Sequence, residues 1–283
     1  NLIVYTEDRN GHQMKEYSDG EGSSTDLELV ILIDEGSASS SEILAGAVQD
    51  NDRGTIVGRR SFGKGLVQQQ VPYADGSALR ITVARYYTPT GRDIQRPYEK
   101  GDKKKYAQDI LDRLNSGELM HEDSVHYIDS LKVHTLVKGR EIYGGGGISP
   151  DKFVALDTTH NTKYYRNVMA KGLLNRYAIS YVDAHRKELT KRYKNDDAFV
   201  ADFEVTDEML TELVEMADKE KVEFDQEQFD AARPLFAMIV KALIGRDAFD
   251  DQTYFKVYNT YDPIFKEALR VINSDEYDQL LNP

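Results

Sequence analysis

The chain has 283 residues, 40% of them apolar, which suffices for one large domain or two ordinary ones with cores of their own. It has no cysteine, and that excludes a disulfide, a thiolate nucleophile and a cysteine-based zinc site while leaving the redox compartment open. The net charge of −13 is uneven: residues 1–195 hold 28 Lys and Arg against 27 Asp and Glu, residues 196–283 hold 8 against 22, and no basic surface for nucleic acid is expected.

In chain order, Asn1 is followed at once by Leu2-Ile3-Val4-Tyr5, a strand already under way, so a fragment or a processed product is expected. No leader and no uninterrupted apolar run of membrane-spanning length is found. The run Leu29-Val30-Ile31-Leu32-Ile33 predicts a strand buried on both faces, as in a parallel sheet, ending at Asp34-Glu35-Gly36. From Ser41 to Asp50 a helix is predicted with Ile43, Leu44, Ala47 and Val48 on its inner face, and Ser39-Ser40-Ser41-Glu42 has the form of a capping box. Thr55–Gly58 then completes a βαβ unit. Leu66–Tyr73 and Leu79–Tyr87 read as strands joined by Ala74-Asp75-Gly76-Ser77, where Asp-Gly is a strong hairpin signal, and they are expected to extend the sheet.

Residues 88–130, with Pro89, Gly91, Pro97 and Gly101, predict a polar excursion outside the core with a short helix around Tyr106–Leu114; Lys103-Lys104-Lys105 reads as a solvated loop. A strand pair is expected around Lys138-Gly139, and Gly144-Gly145-Gly146-Gly147-Ile148-Ser149-Pro150-Asp151 as irregular backbone able to approach another segment closely. From about Thr162 the 3.6-residue period takes over: Val168–Tyr181, Thr206–Lys219, Gln226–Ile244, Gln252–Tyr258 and Pro263–Ile272 are predicted helices, with starts at Thr206 and Asp225. The expected division is 1–160 and 161–283, with the acidic part beginning near Asn195.

A serine on a turn between a strand and a helix is placed to be a nucleophile, because the first helical N–H groups point at the same spot and can hold an oxyanion. Ser39 meets that description, with the N–H of Ser40 as the nearest donor; an ordinary N-cap is the competing reading of the same serine. Ser37 and Ser41 are rival nucleophiles. In Ser61-Phe62-Gly63-Lys64-Gly65 a lysine lies between two glycines beside a phenylalanine. Burial among apolar groups is expected to lower its pKa, and a neutral amine can take the proton of a serine hydroxyl. A plain turn or a phosphate loop is the alternative, although the segment lacks the P-loop pattern. Gln68, four residues on and expected on one strand face with Leu66 and Gln70, can orient the amine.

Residues 29–95 resemble the carboxyl-terminal processing (tail-specific) serine peptidases, family S41. The likeness rests on Glu35-Gly36-Ser37-Ala38-Ser39-Ser40-Ser41-Glu42-Ile43, on Gly58 to Gln70, and on Tyr87-Thr88-Pro89-Thr90-Gly91-Arg92-Asp93-Ile94-Gln95. Gly144–Asp151 is similar to the late G-G-I-x-P-D segment of that family, and the likeness spans roughly residues 1–160. It implies Ser39 as nucleophile, Lys64, 25 positions later, as general base in a Ser–Lys dyad, and Gln68 as its partner. It also implies an α/β fold, a crotonase/ClpP-like layered sheet-and-helix peptidase core followed by a mainly helical region.

A PDZ-type domain and a glycine-bearing loop that supplies the other oxyanion donor precede this region in the family and are expected upstream of Asn1. The activity implied is a serine endopeptidase that cleaves near a recognised C-terminus; a non-catalytic binding or assembly module on the same fold is the alternative. Expected partners are a protein or peptide substrate with an exposed C-terminus, and a second copy docking through the helical tail. No nucleic acid is expected, and membrane association only through further chain; the setting implied is the periplasm or cell envelope. No cofactor is expected, and no metal, since His12, His121, His126, His134, His160 and His185 lack ligand spacing. The pairs Asp196-Asp197 and Asp250-Asp251 read as helix starts, and Tyr86-Tyr87 and Tyr164-Tyr165 as core or groove residues.

Overall fold

A computed structural model describes residues 1–97 and 103–282. It divides into two compact units, one of residues 1–156 with 267–283, the other of residues 157–266. The expected boundary at 160/161 differs from this by a few residues, and the last stretch of chain returns to the first unit.

In the first unit, β1 (Leu2–Asp8) pairs antiparallel with β2 (Gln13–Tyr17). Next come β3 (Val30–Ile33), α1 (Ser40–Asp50) and β4 (Thr55–Gly58), the anticipated βαβ unit, with β3 and β4 parallel. Then β5 (Leu66–Pro72) and β6 (Ala78–Tyr87) form the hairpin over Asp75-Gly76. They do not extend the parallel sheet as expected: β6 pairs with β1, giving a separate antiparallel sheet in the order β2-β1-β6-β5. The N-terminal strand instead occupies the outer edge of β6.

Helix α2 (Lys103–Asn115) covers the predicted short helix and starts earlier, so the lysine run belongs to its first turn and not to a loop. Gly101, and the side chains of Lys103–Lys105, lie outside the described residues. The pair β7 (Lys132–His134) and β8 (Glu141–Tyr143) flanks Lys138-Gly139 as anticipated. The glycine strip then leads into β9 (Lys152–Phe153), a third parallel strand that the sequence did not reveal, in the order β3-β4-β9.

That order corrects the reading of Leu29–Ile33. Every residue of the central strand β4 is buried, whereas β3 is an edge strand with Leu32 38% exposed, and an apolar run alone cannot say which strand is central. Likewise Leu44 on α1 is exposed while Ala47 and Val48 are buried. A cluster of Ile33, Ala45, Val48, Ile56, Ile94 and Ile148 unites β3, α1 and β4 with the segments that follow β6 and the glycine strip. The excursion is less peripheral than its polarity suggests: Leu119, Arg113 and Glu118 are buried.

In the second unit α3 (Lys163–Ala170) and α4 (Leu173–Arg192) replace the single predicted helix Val168–Tyr181, because Gly172 at φ 66° breaks it. A short helix α5 (Asp196–Asp202) follows, then α6 (Asp207–Lys219), α7 (Gln226–Ala248) and α8 (Asp251–Asn259). The predicted starts hold: Thr206 accepts from the N–H of Met209 at 3.3 Å and Asp225 from that of Gln228 at 3.0 Å. Asp196-Asp197 and Asp250-Asp251 are helix starts, with Lys256 also paired to both members of the first. Tyr164 and Tyr165 pack in the core with Phe229 and Phe236.

Helix α9 (Pro263–Ile272) begins in this unit and ends in the first, where α10 (Glu276–Leu281) follows. There Val271, Tyr277 and Leu281 pack with Val30, and the Tyr277 hydroxyl accepts from the N–H of Leu29 at 3.0 Å. Among the described residues no helix is long and apolar enough to cross a membrane.

Candidate active site

Strand β3 ends in a turn folded around Asp34, whose carboxylate accepts from the N–H of Gly36 and the hydroxyl of Ser37. Two residues later Ser39 stands at φ 55°, ψ −114°, a region that L-residues rarely adopt. Holding a non-glycine residue there costs on the order of 1–3 kcal/mol and requires surrounding bonds to enforce it. They are present: the Ser39 carbonyl accepts from the N–H groups of Glu42 and Ile43, both at 3.0 Å, and its own N–H donates to Glu42 Oε2 at 3.0 Å. The serine is therefore an N-cap by position but one on a strained strand-to-helix elbow, and its side chain is half-buried.

The N–H of Ser40 has no acceptor among the described residues, as expected for the first residue of a helix. Of the rivals, the Ser37 hydroxyl is engaged by Asp34, and Ser41 is exposed in the first helical turn.

Glu42 is the residue around which this region is built, and it is completely buried. Its Oε2 accepts from the N–H of Ser39 at 3.0 Å and from that of Lys64 at 2.9 Å. Its Oε1 accepts from the Ser61 hydroxyl at 2.5 Å and the Gly63 N–H at 2.7 Å. One carboxylate thus binds the serine elbow to the lysine loop, 22 residues away from Glu42 in sequence. The Phe62 N–H, donating to the Ser37 carbonyl at 2.8 Å, adds a second tie.

The lysine loop is braced from behind. The Arg96 N–H donates to the Gly63 carbonyl, the Gly65 N–H to Gln95 Oε1, and the Arg96 guanidinium lies 4.0 Å from the centre of the Phe62 ring. A Cβ on Gly65 would stand 2.6 Å from the backbone nitrogen of Gln95, so only glycine fits. Arg113 donates to the carbonyls of Arg60 and Ser61, and both Arg60 and Arg113 bond Glu118. Burial pushes the Glu118 carboxyl up, but the two guanidiniums hold it below the ordinary range. Burial and neighbouring Arg60 lower Arg113 despite Glu118.

One expectation fails here. The Lys64 side chain is exposed, not buried among apolar groups; the flanking glycines are what is buried. The register shift between Val67 and Gln68 places the extra residue, Val83, on β6, so Leu66, Gln68 and Gln70 stay on one face of β5, opposite Arg85, Thr82 and Arg80. Gln68 is exposed, and among the described residues no side-chain hydrogen bond joins it to Lys64 or Ser39. Reading the sequence missed Glu42 as more than a cap, and missed Ser61 and Arg113 altogether. The only signal was that a buried acid needs donors, and a cap supplies too few. Among the described residues, no group of three or more histidines and acids is close enough to hold a metal ion.

Residues 1–106, which contain the whole of this arrangement except its braces from the later chain, match the model of peptidase family S41. This part of the chain is similar to the carboxyl-terminal processing peptidases. The carboxyl-terminal-processing protease of Synechocystis is 50% identical over 94 residues, covering 33% of this chain and 22% of that protein. The chloroplastic C-terminal processing peptidase of Tetradesmus obliquus is 51% identical over 79 residues, 28% and 17% of the two chains. A solved structure titled photosystem II D1 C-terminal processing protease is 45% identical over 34% of this chain and 25% of its own, with a TM-score of 0.32. The chain therefore spans about a fifth of the length of these curated relatives. Residues 164–250 match a separate family of unknown function, DUF8443.

Proposed function

We propose that this chain carries the dyad of a serine endopeptidase that cleaves proteins near a recognised C-terminus, on a core of the crotonase/ClpP-like kind. Ser39 is the nucleophile, Lys64 the general base, the N–H of Ser40 an oxyanion donor, and Gln68 the partner of the amine once substrate is in place. The observation that carries the reading is the shared carboxylate: Ser39 and Lys64 donate their backbone N–H groups to one oxygen of Glu42. In the first half-reaction Ser39 Oγ attacks the scissile carbonyl, its proton passes to the neutral Lys64 amine, and the leaving amine takes that proton. Water then repeats the sequence on the acyl-enzyme. A periplasmic or envelope setting belongs to the same proposal, supported by bacterial and chloroplastic relatives.

The test is cleavage of a disordered peptide with a defined C-terminus by the full-length protein, alongside Ser39→Ala and Lys64→Ala. Both variants are expected to lose turnover; unchanged turnover in either removes the proposal. The exposure of Lys64 is what favours the second reading, a binding or assembly module. Covalent capture of a fluorophosphonate at Ser39 decides against that module.

A further inference from the structure

Ser61 is a completely buried hydroxyl to which the dyad assigns no role. Its Oγ accepts the N–H of Ile148 at 2.7 Å and donates to Glu42 Oε1 at 2.5 Å. An amide N–H can only donate, so the single hydroxyl proton is committed to the carboxylate. The main chain of Ser61 already joins the two segments, since its N–H donates to the Ile148 carbonyl at 3.0 Å. Its carbonyl takes a bond from Arg113 at 3.1 Å. The hydroxyl is thus not needed to attach the loop to the glycine strip. What it adds is direction: it fixes one oxygen of Glu42, and the other oxygen is then aimed at Ser39 and Lys64.

The approach is built to allow this. Gly147 has φ 87°, and a Cβ there would stand 2.7 Å from the Ser61 carbonyl and 2.8 Å from its hydroxyl. The strip that supplies the Ile148 N–H can reach Ser61 only because that residue is glycine.

We infer that Ser61 is a positioning residue for the dyad, acting through the Glu42 carboxylate and not on the substrate, so that the glycine strip, the lysine loop and the serine elbow are set as one unit. The inference rests on the peptidase reading and adds to it a residue outside the dyad.

The experiment uses the full-length protein with Ser61→Ala, which has no donor, Ser61→Cys, which keeps the shape with a weak donor, and Ser61→Thr, which keeps the hydroxyl. Melting curves identify the variants that fold. Peptide cleavage gives kcat and KM, and the rate of fluorophosphonate capture reports Ser39 alone. In Ala and Cys, kcat and the capture rate are expected to fall about 10- to 100-fold, the worth of one hydrogen bond to a charged group, with KM within about twofold. A folded Thr variant is expected to recover most of the loss. Wild-type capture rates in a folded Ala or Cys variant overturn the inference, as does a change confined to KM, or a folded Thr variant as slow as Ala. Ser39→Ala is the internal control: cleavage surviving there defeats the peptidase reading itself, whereas cleavage lost there but intact in Ser61→Ala defeats only the role of Ser61.

Discussion

Replacing Glu42 by Gln and by Ala separates the two jobs that its carboxylate does. In the Gln variant one oxygen becomes an NH₂ group and must face donors. Turned toward Ser39 and Lys64 it would oppose two backbone N–H groups, neither of which can accept. Turned the other way it meets Ser61 and Gly63; the serine hydroxyl can reverse and accept from it beside the Ile148 N–H, which leaves the Gly63 N–H opposed and the hydroxyl proton without its acceptor.

The second orientation is therefore the one adopted, and its cost is roughly one to two charge-assisted bonds, about 2–5 kcal/mol at 1.5–3 kcal/mol each. Ala abandons all four donors of a completely buried carboxylate. At about 1–3 kcal/mol per stranded group that approaches the whole stability of an ordinary domain, on the order of 5–15 kcal/mol. Thermal unfolding by circular dichroism is expected to show Gln lowered by roughly 5–15 °C, on a scale of about 2–4 °C per kcal/mol, and Ala unfolded or nearly so. In folded Gln protein, fluorophosphonate capture by Ser39 slows because the elbow loses its rigid anchor. An Ala variant that melts within a degree of wild type would show that the four bonds are not holding this region, and the account of the site would fail with it.

Gly65→Ala places a methyl against the Gln95 amide nitrogen, and overpacking of this kind costs about 1–3 kcal/mol. A lower melting temperature together with slower Ser39 capture is expected; an unchanged protein would mean that the loop has room to move. The second test concerns acid. Burial raises the Asp52 carboxyl, but Arg140 at 2.7 Å and the N–H groups of Lys138 and Val137 bring it below its ordinary 3.8. A depressed carboxylate stabilises the fold above its unfolded pKa, and that stability is lost as pH falls from about 4 through the folded value. Arg140→Met is expected to be weaker by about 3–5 kcal/mol at pH 7 and to lose less than wild type between pH 5 and 3, read as melting temperature against pH. Parallel curves would refute the pairing.

Much of the fold could be read along the chain because its signals are local. Asp75-Gly76 gave the hairpin, Thr206 and Asp225 gave helix starts, and Lys138-Gly139 gave the β7–β8 pair. What depends on which strand lies beside which could not be read this way. The exposure of Leu32, the pairing of β6 with β1 and the third parallel strand β9 are all decided by partners far away in sequence. The return of α10 to the first unit is of the same kind, since the Tyr277 hydroxyl meets the Leu29 amide across 248 positions.

At the site the boundary between legible and hidden falls inside single residues. Ser39-x-x-Glu42 signals a helix start, and Glu42 does accept the Ser39 N–H as a capping residue should; nothing in four residues says that the same acid is also bound by Ser61, Gly63 and Lys64. Gly63-Lys64-Gly65 suggested a buried amine because two glycines imply close quarters. The close quarters belong to the backbone, which must approach Gln95 and Arg96, and that same approach leaves the lysine side chain facing outward. A glycine states how near the chain must come to a neighbour; it does not say where the side chain next to it will go.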